Sequence, residues 1–450
     1  MDPASEGQSR ALPDVTARRY RAIRLRVFAT TWLAYAGFYL TRKSFSVAKV
    51  ALARPEHGGF SLGSMTLVET GYLLAYAVGQ FAAGVAGDRF GTRRLVLGGM
   101  LVSIVVAVAS GCASSVVMMA ALLAVQGLCQ SCGWAPLAKN VGEFFSRGER
   151  GRVMGLWCTN YAIGGFAASM LAAAAADACG WRWAFWVNAA ALGGVAGVFW
   201  LWQVDRPECV GLPPVEEYKG EAVPVINPTE TPAEEPEGSW HVVAEVCRSP
   251  MVWLLAAVYF LIKPSRYLVM LWSPLYVSER LGTEAVTSAA VGSMFDLAGP
   301  AGVLLGGWLS DRVFAARRIP PMVLCLAGVA ALLFAFPFLP DSALALGAGF
   351  FFVGFLLYVP DSLVSGTAAV DFGTKRGAST AAGLINGCGS LGAVAGNALP
   401  WLVQRTLSDG GPVWGWVFAL LGGSIILAAA LLVPQWNTVP ATAPRQASRS

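Results

Sequence analysis

The feature that most constrains this chain is a series of apolar segments, each about as long as a membrane-spanning helix. A helix needs about 20 mostly apolar residues to cross the hydrocarbon core of a bilayer. Twelve such segments occur, in two groups of six, at residues 27–49, 64–86, 95–112, 115–137, 153–175, 183–202, 251–272, 286–309, 320–338, 343–366, 378–402 and 414–434. We number them spans 1 to 12, and they predict an all-helical integral membrane protein.

The composition excludes several other classes of protein. Only 13% of the 450 residues are charged and 56% are hydrophobic, whereas a soluble globular domain carries roughly 25% charged residues. A disordered chain, a soluble enzyme, a disulfide-stapled secreted domain and a nucleic-acid-binding protein are therefore excluded. We expect a protein whose partner is the lipid bilayer, with no enzymatic activity and no cofactor.

Histidine and cysteine do not point to a metal or redox site. The only two histidines, His57 and His241, lie in polar connecting segments, so neither is available inside the bilayer as a metal ligand or proton relay. Cys129 and Cys132 have the spacing of a redox motif, but they lie in an apolar segment with no strand before it. We interpret them as small residues buried between helices.

Basic residues predict the orientation of the chain. If the N-terminus is cytoplasmic, the cytoplasmic segments hold 23 Lys and Arg residues and the opposite segments hold four. Cytoplasmic loops carry such an excess. We therefore expect a multi-pass protein of the inner (plasma) membrane with both termini in the cytoplasm.

One long connection divides the chain into two halves. Residues 203–250 are rich in Pro and Glu, which predicts an extended, solvated linker. The expected segments are a basic tail (1–26), a first six-helix half (27–202), the cytoplasmic linker (203–250), a second six-helix half (251–434) and a second tail (435–450).

The two halves repeat each other at a constant offset. Asp88 and Asp311 each begin a basic loop after the second span of their half, 223 residues apart, and Arg150 and Arg376 are 226 residues apart. In secondary transporters, such repeats enclose a site near the middle of the bilayer. Ordinary positive-inside anchors remain the alternative for these loops. The residues expected to act in conformational change are Asp88, Arg89, Arg93, Arg94, Asp311, Arg312, Arg317 and Arg318.

Eight charged residues lie inside the predicted spans. A charge at that depth costs about 2.5–3.5 kcal/mol even on lenient scales, so each is expected to face a cavity and serve a purpose. They are Arg42, Lys43 and Lys49 in span 1, Glu69 in span 2, Lys263 and Arg266 in span 7, Asp296 in span 8 and Asp361 in span 10.

Spacing gives Arg42 and Arg266 matching positions in the two halves. Each belongs to a polar stripe whose steps of four, three, four and three residues keep the side chains on one helical face. The stripes, 224 residues apart, are Tyr35, Tyr39, Arg42, Ser46 and Lys49 in span 1, and Tyr259, Lys263, Arg266, Met270 and Ser273 in span 7. Lys43 lies one residue off this face and is expected to snorkel or to pair elsewhere. Lys49 is expected to snorkel to the outer surface.

Two guanidinium groups that converge from opposite halves predict a site for a doubly charged, tetrahedral oxyanion. Arg offers a rigid fork of donors that matches phosphate. Tyr35, Tyr39 and Tyr267 can add neutral donors. The alternative is that each Arg pairs with an acid in the membrane, such as Asp296 or Glu69.

At these residues the sequence resembles a known family, the organophosphate:phosphate antiporters of the major facilitator superfamily. The matching stretches are Tyr39–Phe45, Gly133–Lys139 with Trp134, Gly180–Phe185, Gly211–Lys219, Arg266–Tyr267, Trp272–Pro274 and Thr380–Gly383. The resemblance implies a twelve-helix bundle of two pseudo-symmetric halves. It also implies a monomer that exchanges an organic phosphate ester for inorganic phosphate by alternating access, with Arg42 and Arg266 as the phosphate-binding pair.

Departures from the family leave the substrate open. Gln80 replaces a Lys that many relatives carry, and Tyr161 replaces the His of the glycerol-3-phosphate transporters. Lys263 and Asp361 stand where those relatives have no charge. We hypothesise that Lys263 takes over the role of the cation missing at Gln80 and that Asp361 neutralises Lys263.

The candidate site therefore has two groups of residues. The substrate-binding candidates are Arg42, Arg266, Lys263, Tyr35, Tyr39, Tyr267, Gln80, Tyr161 and Trp134, and the charge-balancing candidates are Asp361 and Asp296. Two rival functions stay open: a membrane sensor of sugar phosphates with the same fold, and a proton-coupled transporter of an organic anion.

Overall fold

A computed structural model gives the structure of most of the chain. It describes residues 14–57, 59–219, 244, 246–314, 317–368, 378–407 and 413–438. Throughout these ranges the regular secondary structure is helical, and helices occupy all twelve predicted spans. Nine of the described helices are long and apolar enough, by length and composition, to cross a membrane. The other three predicted spans, which are also helical, are spans 1, 2 and 11.

The helices of the first half form spans 1 to 6. They are Asp14–Leu52, Leu62–Phe90, Thr92–Gly111, Val116–Gln130 with Trp134–Phe144, Arg147–Trp157 with Thr159–Cys179, and Trp183–Trp202. Span 4 is interrupted at residues 131–133, two residues before Pro136, which cannot donate a backbone hydrogen bond.

The helices of the second half form spans 7 to 12. They are Pro250–Leu281, Ala285–Leu297 with Gly299–Trp308, Ile319–Ala335, Ala343–Ser362, Ala378–Asn397 with Leu399–Thr406, and Val413–Leu432. Spans 8 and 11 are each interrupted just before a proline, Pro300 or Pro400, at the start of the following helix.

Span 11 packs very closely against span 7, the helix that carries Lys263 and Arg266. A β-carbon added at Gly392 would lie 2.1 Å from the carbonyl oxygen of Phe260, and one at Gly396 would lie 2.4 Å from Cα of Pro264. Because only glycine allows this approach, these two residues fix the distance between the two helices.

The halves are joined at the end of the bundle that contains Arg54, where span 1 finishes and span 8 begins; we call it the Arg54 end. The Asp177 carboxylate of span 5 accepts hydrogen bonds from the backbone N–H groups of Ala285 (3.0 Å) and Val286 (2.8 Å) at the start of span 8. Arg54 pairs with Glu284 at 3.0 Å. These contacts cap the first turn of span 8 with a carboxylate from the other half.

The first third of the linker is folded against the first half, so the prediction of an extended, solvated linker is wrong for residues 203–219. This segment contains the short helices Pro207–Val210 and Val215–Lys219, joined by a turn in which Gly211 has a φ of 70°. Leu212 and Val215 are buried. Burial of apolar side chains keeps this segment on the protein. Residues 220–243 and 245 of the linker lie outside the described residues.

Residues 203–219 contact the beginning of span 1 at the end of the bundle opposite Arg54, which we call the linker end. The Tyr20 and Tyr218 rings stack with centroids 4.0 Å apart and an angle of 3° between planes. Arg19 Nη2 donates to the carbonyl oxygen of Val210 at 3.0 Å. The linker segment is therefore part of the first half in this structure.

Glu149 holds three elements together at the linker end. Its carboxylate pairs with Arg24 of span 1 and, at 2.6 Å, with Lys219 of the linker. Partial burial raises the pKa of Glu149, but the hydrogen bonds and charges of Lys219 and Arg24 outweigh this effect and hold the pKa below its usual value. The ionised carboxylate therefore stabilises the folded state.

We expect the variant Glu149→Gln to lower the free energy of unfolding by about 1 kcal/mol at pH 7, as is typical for a partly exposed ionic network. Glu217→Gln is the matched control, because Glu217 is exposed on the Val215–Lys219 helix of the linker. It should leave the free energy of unfolding unchanged. Because the pKa of Glu149 is depressed in the folded state, its ionised carboxylate contributes its full stabilisation above the unfolded-state pKa. This stabilisation is lost as the pH falls through the folded-state pKa. Unfolding of the detergent-solubilised variants at pH 7 and pH 4 measures the stabilisation. Equal destabilisation by both variants would contradict the network.

Candidate functional site

Arg42 is buried in span 1 among aromatic rings and one amide. Only 6% of the residue is exposed. Its guanidinium carbon lies 4.5 Å from the centroid of the Tyr39 ring and 4.9 Å from that of Tyr76. Its Nε donates to Oε1 of Gln130 in span 4 at 3.1 Å. All of these described partners are neutral.

Gln130 is held in place by two further hydrogen bonds. The Tyr72 hydroxyl donates to its Oε1 at 2.9 Å, and its Nε2 donates to Thr41 Oγ1 at 3.0 Å. An amide whose oxygen and nitrogen are both held by neighbouring side chains fixes the orientation of the guanidinium that it accepts from. Our sequence interpretation missed Gln130 because it considered only the cysteines around it. The available signal was a polar side chain inside an apolar span.

Arg266 occupies the matching position in the second half but has a charged partner. Its guanidinium carbon lies 5.1 Å from the Tyr161 ring centroid and 5.0 Å from that of Tyr358. Its Nη1 donates to Oδ2 of Asp361 at 2.5 Å. The alternative in which each arginine pairs with an acid in the membrane therefore holds for Arg266, although its partner is Asp361 rather than Asp296 or Glu69. It does not hold for Arg42 among the described residues, because the described partners of Arg42 are neutral.

Lys263 also contacts Asp361, at a greater distance. Its Nζ is 3.5 Å from Oδ1 of Asp361, and it lies 4.5 Å and 5.3 Å from the ring centroids of Tyr259 and Tyr267. The hypothesised Lys263–Asp361 pair is therefore present, but the closer partner of the carboxylate is Arg266. Asp361 directly follows Pro360, near the end of the Ala343–Ser362 helix.

A chain of aromatic rings links the two arginines. Ring centroids are separated by 5.9 Å between Tyr39 and Tyr35, 5.2 Å between Tyr35 and Trp134, and 6.4 Å between Trp134 and Tyr161. Tyr39 is also close enough to interact electrostatically with both Arg42 and Arg266. The two guanidinium groups thus face one aromatic-walled region, to which both halves contribute.

Each arginine keeps a buried donor without a hydrogen-bond partner among the described residues. These donors are Nη2 of Arg42 and Nε of Arg266. Leaving a buried donor unsatisfied costs about 1–3 kcal/mol, and more when the group is charged. An oxyanion is a ligand that accepts hydrogen bonds from donors of this kind.

Lys43 and Asp296 form a separate buried ion pair between the halves. Their Nζ and Oδ2 atoms are 2.7 Å apart, and Nζ also donates to the carbonyl oxygen of Met270 at 2.9 Å. The Tyr358 hydroxyl donates to the other carboxylate oxygen at 3.4 Å. Asp296 therefore balances Lys43 rather than either arginine.

The prediction that Lys49 snorkels to the surface is wrong. Its side chain is fully buried, and Nζ pairs with Glu69 at 2.8 Å and donates to the carbonyl oxygen of Leu271 at 3.2 Å. Nζ also lies 3.8 Å from the centroid of the Trp272 ring. The facing carboxylate and the carbonyl oxygen offset part of the cost of burying the ammonium group.

The remaining candidates lie outside this group. Gln80 is half-buried, and none of the described hydrogen bonds connects it to the arginines. Arg93 donates to the Trp200 carbonyl oxygen, and Arg318 to Ser310. Of the other loop residues, Arg94 and Arg312 are exposed, Arg317 bonds to Asn437, and the side chains of Asp88, Arg89 and Asp311 lie outside the described residues.

The fold and this group of residues define a helical membrane bundle of two halves, each of which contributes a buried arginine to the candidate site. Residues 31–397 match the model of the Major Facilitator Superfamily. A bacterial homologue of the human lysosomal transporter Spinster has the same fold, with a TM-score of 0.68 at 17% identity over 92% of this chain and 95% of that one. The predicted fold class is confirmed.

Three curated relatives identify the family within this superfamily. The membrane sensor protein UhpC of Salmonella typhimurium is 32% identical, over 95% of this chain and 94% of its own. The glycerol-3-phosphate transporter of Bacillus subtilis is 31% identical (93% and 94%), and a probable hexose phosphate transport protein of Chlamydia pneumoniae is 30% identical (94% and 93%). The chain belongs to the organophosphate:phosphate antiporter family of this superfamily.

We expect Gln130→Leu to weaken the binding of inorganic phosphate by about tenfold to a hundredfold, because a hydrogen bond to a charged group contributes about 1.5–3 kcal/mol. Gln126→Leu is the matched control. Gln126 is buried one turn earlier in span 4, and its Nε2 has no described hydrogen-bond partner. Calorimetric titration of the purified variants with phosphate measures both affinities. An unchanged affinity in Gln130→Leu would show that Gln130 is not part of the binding site.

Proposed function

We propose that this protein is a secondary transporter that exchanges an organic phosphate ester, glycerol 3-phosphate or a sugar phosphate, for inorganic phosphate. The observation that carries the proposal is the pair of buried guanidinium groups, one from each half, each with an N–H group that lacks a partner among the described residues. Transport by this mechanism involves no covalent chemistry, so the protein is not an enzyme.

The donor set suits the phosphoryl group in particular. A phosphate monoester carries close to two negative charges at about pH 7 and above, and it presents three acceptor oxygens. Two planar guanidinium groups can each contact two of these oxygens, whereas a point charge such as an ammonium group cannot. The aromatic wall contributes a surface for the organic part of the ester and hydroxyl donors without further charge.

In alternating access, the contacts between the halves would close the site to one side of the membrane. With the linker end in the cytoplasm, as the basic residues favour, the Arg54 end faces outward. The Asp177, Arg54 and Lys43 contacts then hold the protein in a state closed to the outside. Opening to the outside requires these contacts to break while the halves rock around the site.

Charge favours exchange over uptake. Moving a dianion into a cell against about 100 mV costs roughly 4.6 kcal/mol, at about 2.3 kcal/mol per charge. Exchange for internal phosphate of equal charge removes this cost. An empty site with excess positive charge is also expensive to enclose in a low dielectric, so the loaded protein should reorient faster than the empty one.

A membrane sensor is the second candidate, because the relative from Salmonella typhimurium is a membrane sensor protein. A sensor could use the same arginines to bind its ligand without completing the transport cycle. The names of the Bacillus and Chlamydia relatives support transport. Purified protein in phosphate-loaded liposomes separates the two functions, because a sensor binds the ester but releases no phosphate.

Replacing Arg42 or Arg266 with Lys should weaken ester binding and slow exchange by about tenfold or more, because an ammonium group cannot reproduce the fork of donors. Arg94→Lys, at an exposed position in the first turn of the Thr92–Gly111 helix, is the control for binding and should keep the wild-type affinity for the ester. Equilibrium binding and exchange in liposomes give the two readouts. Wild-type affinity in both Arg42→Lys and Arg266→Lys would show that the site is elsewhere.

External glycerol 3-phosphate or glucose 6-phosphate should release labelled phosphate from liposomes that contain the protein, and a protonophore should leave this exchange intact. The physical reason is that like-charged ligands exchange without a proton gradient. Liposomes without internal phosphate are the control and should show little ester uptake. Uptake that needs no internal phosphate and collapses with the protonophore would instead indicate proton coupling.

A further inference from the structure

The two arginines differ in what balances their charge. Arg42 is oriented by the neutral amide of Gln130, whereas Arg266 is oriented by the carboxylate of Asp361, which lies 2.5 Å from it. The same carboxylate is 3.5 Å from Lys263. The halves therefore have matched positions for their guanidinium groups but carry different local charge.

The charges of the site sum to a defined value. Three cations face the region between the halves, Arg42, Lys263 and Arg266, and Asp361 is the carboxylate that contacts two of them. The remaining buried pairs among the described intramembrane residues, Lys43–Asp296 and Lys49–Glu69, cancel internally. Two positive charges are left uncompensated.

Net charge decides which ligand can be enclosed. In a region without water, the cost of an unbalanced charge is much larger than in solution, so the favoured complex is the neutral one. A ligand with two negative charges makes the site neutral. A ligand with three or four leaves one or two negative charges buried without a counter-ion.

Asp361 need not leave Arg266 when a ligand binds. It occupies Nη1 of the guanidinium, whereas the donor without a partner is Nε. The carboxylate is itself only 3% exposed, and its helix is fixed by the Tyr358 ring, which stacks on Tyr161 of the other half at 5.9 Å. Asp361 thus remains a permanent negative charge beside the bound ligand.

We propose, resting on the function proposed above, that Asp361 is a specificity-determining residue that limits the site to phosphate esters whose only charged group is the phosphoryl dianion. Sugar phosphates and polyol phosphates belong to this class. Phosphorylated carboxylic acids and bisphosphates, which carry at least one more negative charge, are excluded by the charge of the site rather than by their size.

The test compares two pairs of ligands that differ in charge. Glycerol 3-phosphate and 3-phosphoglycerate are of similar size, so this pair isolates charge, and fructose 6-phosphate against fructose 1,6-bisphosphate adds a second phosphoryl group. Binding to the full-length protein in nanodiscs at pH 7, where each phosphoryl group is close to a dianion, gives a ratio of affinities for each pair. We expect the wild type to prefer the less charged ligand. Asp361→Asn should shift both ratios toward the more charged ligand by about tenfold or more, because the site gains a positive charge.

Two control variants separate charge from local geometry. Asp361→Glu keeps the carboxylate and should keep the wild-type ratios. The double variant Lys263→Met with Asp361→Asn removes one charge of each sign and should also restore them. Lys263→Met alone should shift the ratios in the opposite direction, toward the less charged ligand, and it tests the proposal even if Asp361→Asn fails to fold.

The outcomes distinguish this proposal from the proposed function. Unchanged ratios in Asp361→Asn and in Lys263→Met, with normal binding of glycerol 3-phosphate, would overturn the role of Asp361 and leave the phosphate-binding function standing. A wild-type protein that binds neither ester of either pair would overturn the proposed function itself.

Discussion

The cost of placing charge inside a membrane protein governs most of this structure. Eight Lys, Arg, Asp and Glu side chains lie inside the predicted spans, and a single unpaired charge there is expensive. The protein meets this cost with the pairs Lys43–Asp296 and Lys49–Glu69 and with Asp361 beside Arg266 and Lys263. The positive charge that these pairs leave unbalanced lies between the halves, where an anionic ligand can bind to it.

The repeat of the two halves positions the two arginines, and their different partners then set the local charge. Spans 1 and 7 bring Arg42 and Arg266 to equivalent positions, and the close approach allowed by Gly392 and Gly396 fixes span 7 against span 11. The partners of the two arginines are not equivalent, since one is an amide and the other a carboxylate. Repetition thus creates the pair of donors, while the departures from repetition give the site its net charge.

The contacts at the two ends of the bundle have different characters. At the Arg54 end, polar contacts cross between the halves, as in the bonds from the start of span 8 to Asp177. At the linker end, residues 203–219 stay within the first half through the Tyr20–Tyr218 stack and the Glu149 ion pairs. The first third of the linker therefore moves with the first half in any rearrangement of the two halves.

The sequence by itself determined the twelve helices, because span length and hydropathy follow directly from bilayer thickness. It also predicted that Arg42 and Arg266 occupy matching positions in the two halves, because a constant offset between repeats fixes matching helical faces. Only the tertiary structure decided which acid meets which cation, that Lys49 is buried against Glu69, and that Gln130 orients Arg42. The physical reason is that contacts between helices depend on the rotation and depth of each helix against its neighbours. Spacing along one helix carries no information about either quantity.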